Sequence, residues 1–162
     1  MSKKIRVDAV QAVVGSLYPP PFDIPCRPRE RKKLGDAAGL TQFGVNLLTL
    51  PPGAWSSQRH WHTDEDEFVY VVQGEVTLLT DAGPEILGAG DSAGFRAGDT
   101  NGHCLQNHTQ AVAVVLEVGS RMAADGAHYP DIDLVAAPGG KPAIFTRRDG
   151  TPYTDIRRRG PE

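Results

Sequence analysis

The chain has 162 residues, 40% hydrophobic and 23% charged, with a formal net charge of −3, ordinary values for one soluble globular domain. At this length a fold buries roughly 68–70% of its unfolded surface, so Cys26 and Cys104 are not needed as a disulfide framework and read as free thiols of a reducing, cytoplasmic protein. The negative balance argues against a nucleic-acid partner. No apolar run approaches the roughly 20 residues of a membrane span, and no unbroken apolar segment follows the basic start Met1–Arg6.

Glycines and prolines punctuate short apolar runs, which predicts an all-β domain. Residues 1–38 read as an N-terminal arm. In it Val7 to Val14 could be a strand, Tyr18-Pro19-Pro20-Pro21 is extended, and Pro28 to Leu34 is a short helix stopped by Gly35. Residues 39–119 read as the main barrel, with strands over 41–49, 54–62, 67–73, 75–80, 84–88, 91–95, 102–107 and 111–118. Turn signals at Pro51-Pro52-Gly53, Gln73-Gly74 and Ala82-Gly83-Pro84 separate them. Such a series fits a jelly roll or small barrel. Residues 120–162 are poor in periodicity and read as an irregular tail wrapping the barrel as loops, with Ala143 to Thr146 as an edge strand and Arg157-Arg158-Arg159 as a solvated run.

One cluster carries chemistry. His60 and His62 are two apart, so on a strand both imidazoles point to one face and Trp61 to the other. Thr63 to Asp66 is a polar turn, and Glu67 opens the returning strand with Val69 and Val71 on its face. Glu65 could compete for the role of Glu67, but with Asp64 and Asp66 it reads as a solvated turn charge. His103 begins a later strand and shares a face with Leu105 and Asn107; Cys104 faces the other way. Two histidines, a glutamate and a distant third histidine could hold one divalent metal with open positions. Unrelated core or surface histidines are the competing reading.

The residues Gly53, His60, His62, Glu67 and Gly74 resemble the first motif of the cupin superfamily, with one residue more than is common between Gly53 and His60. Gly90-Asp91, Arg96-Ala97-Gly98, His103 and Asn107 resemble its second motif, with Arg96 in place of a proline and a longer turn before His103. The wider chain is similar to small single-domain bacterial cupins that carry the name of sugar-phosphate isomerases. The resemblance implies a double-stranded β-helix, a metal held by His60, His62, Glu67 and His103, and a homodimer. The ion it implies is Mn, Fe, Ni or Zn. Ligand chemistry does not choose among them, although the absence of thiolate disfavours a purely structural zinc.

Other residues are candidates for contact with a small-molecule substrate. Gln58 shares the face of His60 and His62, Asn107 that of His103, and Arg96 could bind an anion at the mouth. For Asn107 a buried amide satisfying a turn is an equal reading. Tyr70 belongs to packing or an interface, His128 to a loop, and Asp131 and Asp133 to a polar turn. The expected function is a metalloenzyme acting on a small polar metabolite: an isomerase such as a sugar-phosphate isomerase, a dioxygenase or a decarboxylase, with Glu67 moving a proton. The alternatives are a non-catalytic binding or sensory module and a scaffold that the metal only rigidifies. Arg59, Arg96 and the tail arginines are the only obvious phosphate clamps, which weakens the sugar-phosphate version.

Overall fold

The computed structural model describes residues 3–139 and 143–161; Met1 and Ser2 of the basic start, and residues 140–142 and 162 of the tail, lie outside them. The strands in chain order are β1 (Ala12–Val14), β2 (Glu30–Lys33), β3 (Phe43–Leu50), β4 (Trp61–His62), β5 (Glu67–Gln73), β6 (Glu75–Thr80) and β7 (Gly83–Gly88). They continue with β8 (Ser92–Phe95), β9 (Cys104–Gln106), β10 (Ala113–Ser120), β11 (Ala127–Tyr129), β12 (Leu134–Ala136) and β13 (Phe145–Thr146). One short helix, α1 (Leu34–Ala37), and two 3-10 turns complete the regular structure. None of the described helices is long and apolar enough to cross a membrane.

The strands form a six-stranded sheet in the order β1-β2-β3-β10-β5-β8, a three-stranded sheet β7-β6-β9 and a four-stranded sheet β13-β12-β11-β4. The expected all-β double-stranded β-helix is the fold. Strand β10 is its spine, paired antiparallel with β3 on one side and β5 on the other. Period-two alternation decides which side chains are inside: on β5, Val69 and Val71 are buried while Phe68, Tyr70 and Val72 face outward. Val69 and Val71 join Leu48, Leu50, Val76, Leu78, Leu87, Leu105, Ala113 and Val115 in the main core. Gly74 turns the β5–β6 hairpin with φ of 78°, and a Cβ there would lie 2.8 Å from the Val112 carbonyl oxygen, so only glycine fits.

Four readings of the sequence are corrected. The helix expected over 28–34 is strand β2, whose backbone pairs with both β1 and β3; ladder hydrogen bonds on both sides override the local helix signals of Pro28 and Gly35. The strand expected over 7–14 is a 3-10 turn at Val7–Ala9 followed by β1. The segment 54–62 bends through 56–59, so only Trp61–His62 is strand, although His60 pairs singly with His103. The tail is less irregular than expected: β11, β12 and β13 form a sheet with β4, and β13 overlaps the expected edge strand.

Arm and tail meet. Tyr18 and Cys26 from the arm pack with Ala127, Tyr129, Leu134 and Phe145 from the tail in a second core. Ser16 pairs with Arg159, and Gly15 lies so close that a Cβ would collide with the Arg159 carbonyl. A wall built from both ends of the chain thus stands beside the barrel.

Candidate metal centre

His60 and His103 face each other across a two-way backbone pairing, His60 N to His103 O at 3.1 Å and His103 N to His60 O at 2.8 Å. His62 lies on β4, held by the tail strand β11. Glu67 opens β5. The three imidazole Nε2 atoms converge on one carboxylate oxygen: Glu67 Oε2 is 3.7 Å from His60, 3.6 Å from His62 and 2.9 Å from His103. His60, His62 and Glu67 each place a donor atom within 4.8 Å of the other two; His103 joins them through Glu67.

Glu67 Oε2 and His103 Nδ1 are buried without a hydrogen-bond partner among the described residues. Orphaned buried acceptors are costly, and a shared cation resolves the cost for the carboxylate. Three imidazoles and a carboxylate fit a divalent transition metal, and imidazole with carboxylate is the donor chemistry of such ions. The outer ring nitrogens are fixed. His60 Nδ1 lies 2.9 Å from the Gln58 carbonyl, and His62 Nδ1 lies 2.6 Å from Asp125 Oδ2, which turns both Nε2 atoms inward. Asp125 is itself held by the backbone N–H groups of Asp64 and Glu65, which donate to its Oδ1 at 2.9 and 3.2 Å. Phe95 stacks on His103 at 3.5 Å and Tyr129 on His60 at 5.7 Å.

The electrostatics suit ligation. Burial pushes His60 down to about 3, so its ring is neutral. His62 moves the other way: burial lowers it, but Glu67 and Asp125 outweigh burial and raise it. Burial alone would raise Glu67; contact with His103 and the neighbouring His60 and His62 outweigh it and hold the carboxyl well below the usual range.

These residues line a cavity of about 940 Å³ that also takes in Arg29, Arg31, Glu65, Glu117 and Tyr129. A second cavity, of about 190 Å³, reaches His62, Glu65, Glu67 and His103 from the side of Arg96. Arg96 is exposed at its rim. Gln58 and Asn107 line neither cavity. Gln58 donates to the Phe22 carbonyl at 2.7 Å. The Asn107 amide donates to the Leu50 and Ala111 carbonyls, both at 2.8 Å, and accepts from Thr109, as a turn-satisfying amide does. His128 stacks on Trp61 at 4.5 Å, on the face of β4 that His62 does not use. Arg59 is engaged by Asp81 and Asp131, and Asp133 accepts from the Arg148 N–H. Cys104 is buried, with its thiol pushed up to about 12 by burial.

Asp64 and Asp66 are exposed as expected of turn charges, but Glu65 is half-buried and departs from that reading. It lines both cavities, accepts from the Met122 N–H at 2.8 Å, and groups with His62 and Asp125 within 4.8 Å. The sequence reading also missed Asp125, Tyr129, Arg29 and Arg31. Each comes from the arm or the tail, far from the motif, and carries no local spacing that points to the site.

A family model described as a cupin domain matches residues 46–119. No curated protein matches the chain. Among solved structures, a sugar phosphate isomerase from a cupin superfamily, from Silicibacter pomeroyi, is 43% identical over 95% of this chain and 99% of that one, with a TM-score of 0.89. A candidate sugar phosphate isomerase from Acidithiobacillus ferrooxidans is 30% identical over 80% of this chain and 79% of that one, with a TM-score of 0.69. The polyketide cyclase RemF from Streptomyces resistomycificus shares the fold at 19% identity, covering 74% of this chain and 80% of that one, with a TM-score of 0.58. The likeness extends well beyond the matched barrel into the arm and the tail, and with it the conclusion is plain: the chain belongs to the cupin superfamily.

Proposed function

We propose that this protein is a metal-dependent enzyme acting on a small polar metabolite, with isomerisation of a hydroxy-carbonyl compound as the leading reaction. One observation carries the reading: a buried carboxylate oxygen of Glu67, without a well-formed hydrogen bond among the described residues, has three imidazole Nε2 atoms within 3.7 Å, beside a cavity of about 940 Å³. That volume is in the range of small-molecule sites, about 300–1,000 Å³. His60, His62, Glu67 and His103 would hold one divalent ion, Mn, Fe, Ni or Zn. Such an ion supplies Lewis-acid polarisation of a carbonyl or hydroxyl oxygen.

The chain's own residues do the rest. Asp125 and the Gln58 carbonyl orient His62 and His60. Tyr129 and Phe95 give the imidazoles apolar faces that exclude water. The Glu67 carboxylate is ionised, the form a metal ligand needs. Sugar phosphate is the substrate suggested by the name of the Silicibacter relative. A cytoplasmic location and a homodimer belong to the same proposal; Phe68, Tyr70 and Val72, 41–49% exposed along β5, are the apolar surface a second copy would cover.

The test is elemental mass spectrometry on wild type and His62→Ala, both purified without chelator or His-tag. About one transition metal per chain in wild type and none in the variant supports the reading and directs isomerase, dioxygenase and decarboxylase assays. A wild type that takes up no metal after incubation with Mn, Fe, Ni and Zn sinks it, and a non-catalytic binding module then leads.

A further inference from the structure

On the arm side of the cavity one guanidinium is buried without a carboxylate bonded to it among the described residues. Arg29 is only 8% exposed. Its Nε donates to the Gly15 carbonyl at 3.2 Å and its Nη1 to the Ser56 carbonyl. Arg31 donates to the same Ser56 carbonyl at 3.0 Å, while its fork clamps Glu117 with bonds of 2.7 and 2.8 Å. Arg158 reaches the Gly15 carbonyl from the tail at 3.3 Å. Three guanidiniums are therefore tied together through two carbonyl oxygens, with Glu117 as the one carboxylate bonded to any of them among the described residues.

Arg29 is the member that matters for a ligand. It lines the cavity and has no acidic partner among the described residues, whereas Arg59, Arg121 and Arg159 are each paired with aspartates. Burying a guanidinium without a counter-ion is costly, and arginine cannot escape the cost by losing its proton. Arg31 beside it adds repulsion. An anion entering the cavity removes both penalties.

The position is right for one end of a substrate. Tyr129 stacks on His60 at 5.7 Å, Tyr18 meets Tyr129 edge-on at 5.6 Å, and the Arg29 guanidinium lies 5.7 Å from the Tyr18 ring. Two aromatic rings thus lead from the histidine cluster to the arginine along the wall of one cavity.

We propose that Arg29, seconded by Arg31, is the subsite for an oxyanion group of the substrate, a phosphate monoester or a carboxylate, at the end of the molecule remote from Glu67 and the histidines. The inference rests on the reading of this cavity as the substrate pocket. It supplies the anion clamp that Arg59, engaged by Asp81 and Asp131, cannot. It also predicts selectivity: neutral polyols of the same length are rejected because they leave the guanidinium unpaired.

The experiment is calorimetric titration of the full chain with inorganic phosphate and, separately, acetate, after chelation so that direct anion binding to a metal does not contribute. Wild type is expected to bind phosphate in the millimolar range, and Arg29→Gln to weaken it by about tenfold or more, the loss expected for a buried charge-assisted pair. Arg29→Lys, which keeps the charge without the fork, is expected to fall between the two. Glu117→Gln removes the competing carboxylate and is expected to tighten binding.

Phosphate alone binding assigns the subsite to a phosphate monoester; acetate binding equally well assigns it to a carboxylate. Wild type binding neither anion at about 50 mM, a level too weak to matter in a substrate site, overturns the proposal, as does an unchanged affinity in folded Arg29→Gln. If circular dichroism shows that Arg29→Gln does not fold, Arg29→Lys and Glu117→Gln decide, and unchanged affinity in both overturns it. Metal content of each protein is measured separately, so loss of the metal reading with retained anion binding, or the reverse, tells the two failures apart.

Discussion

Asp125 Oδ2 sits 2.6 Å from His62 Nδ1 and thereby aims the opposite nitrogen of that ring at Glu67, 3.6 Å away. The aspartate comes from the tail and the histidine from the barrel, so the tail sets the orientation of a candidate ligand. Asp125→Asn keeps an oxygen for the Asp64 and Glu65 N–H groups but loses the charge behind His62. Metal affinity is expected to fall roughly 10–100-fold, read by competition with a chromophoric chelator, while the metal-free protein keeps its melting temperature. Equal affinity in the two proteins would show that Asp125 does not act through His62.

The metal-free protein should lose stability on acidification. The folded state holds His60 at about 3, below the ordinary histidine value. Glu67 is also depressed. For both groups the unfolded chain binds protons more readily, so the stability they contribute is present above their unfolded pKa values and lost as pH falls towards the folded ones. His62, shifted upward, offsets part of this. Urea midpoints measured with chelator should decline between about pH 6.5 and pH 3, through the unfolded histidine and carboxylate range. A flat profile would contradict the burial of His60.

Both thiols should be inert in the folded protein. Cys26 and Cys104 are 0% and 1% exposed, and burial raises both thiols, Cys104 to about 12. Thiolate is the reactive form. Alkylation with iodoacetamide at pH 8 is expected to modify neither residue without denaturant and both with it, as counted by intact mass. Rapid modification of Cys104 in the native protein would place it in a different environment.

Gly74→Ala tests the hairpin that positions β5. The backbone there has φ of 78°, and the new methyl would lie 2.8 Å from the Val112 carbonyl oxygen. Strain of this kind costs about 1–3 kcal/mol, visible as a lower urea midpoint with an unchanged slope. A variant as stable as wild type would mean that the turn can relax.

The barrel was legible where one face is buried and the other is not. On β5 the alternation of Val69 and Val71 with Phe68, Tyr70 and Val72 announces a half-buried strand, and β6 announces itself by its apolar run. Strand β2 was illegible because its sequence, Glu-Arg-Lys-Lys, offers no apolar alternation; it lies between β1 and β3, and Arg31 turns towards Glu117 and the cavity. The proximity of His60, His62 and Glu67 followed from a local hairpin, and that of His103 from the second motif. Asp125, Tyr129 and Arg29 were out of reach because only tertiary packing of arm and tail brings them to the cavity. Gln58 shared a face with His60 on an ideal strand, but the bend at 56–59 turns its amide to Phe22 instead.

The pairing of β10 with β3 joins residues about seventy positions apart, and the Ser16–Arg159 bridge joins nearly the whole length of the chain. Contacts so distant in sequence form slowly, because the entropy of closing the intervening loop is lost before any contact compensates. The barrel core can condense from residues 43–120, but the cavity acquires Arg29, Tyr18 and Tyr129 only when both flanks dock. Maturation of the binding pocket, and with it the aiming of His62 by Asp125, should therefore lag behind collapse of the barrel.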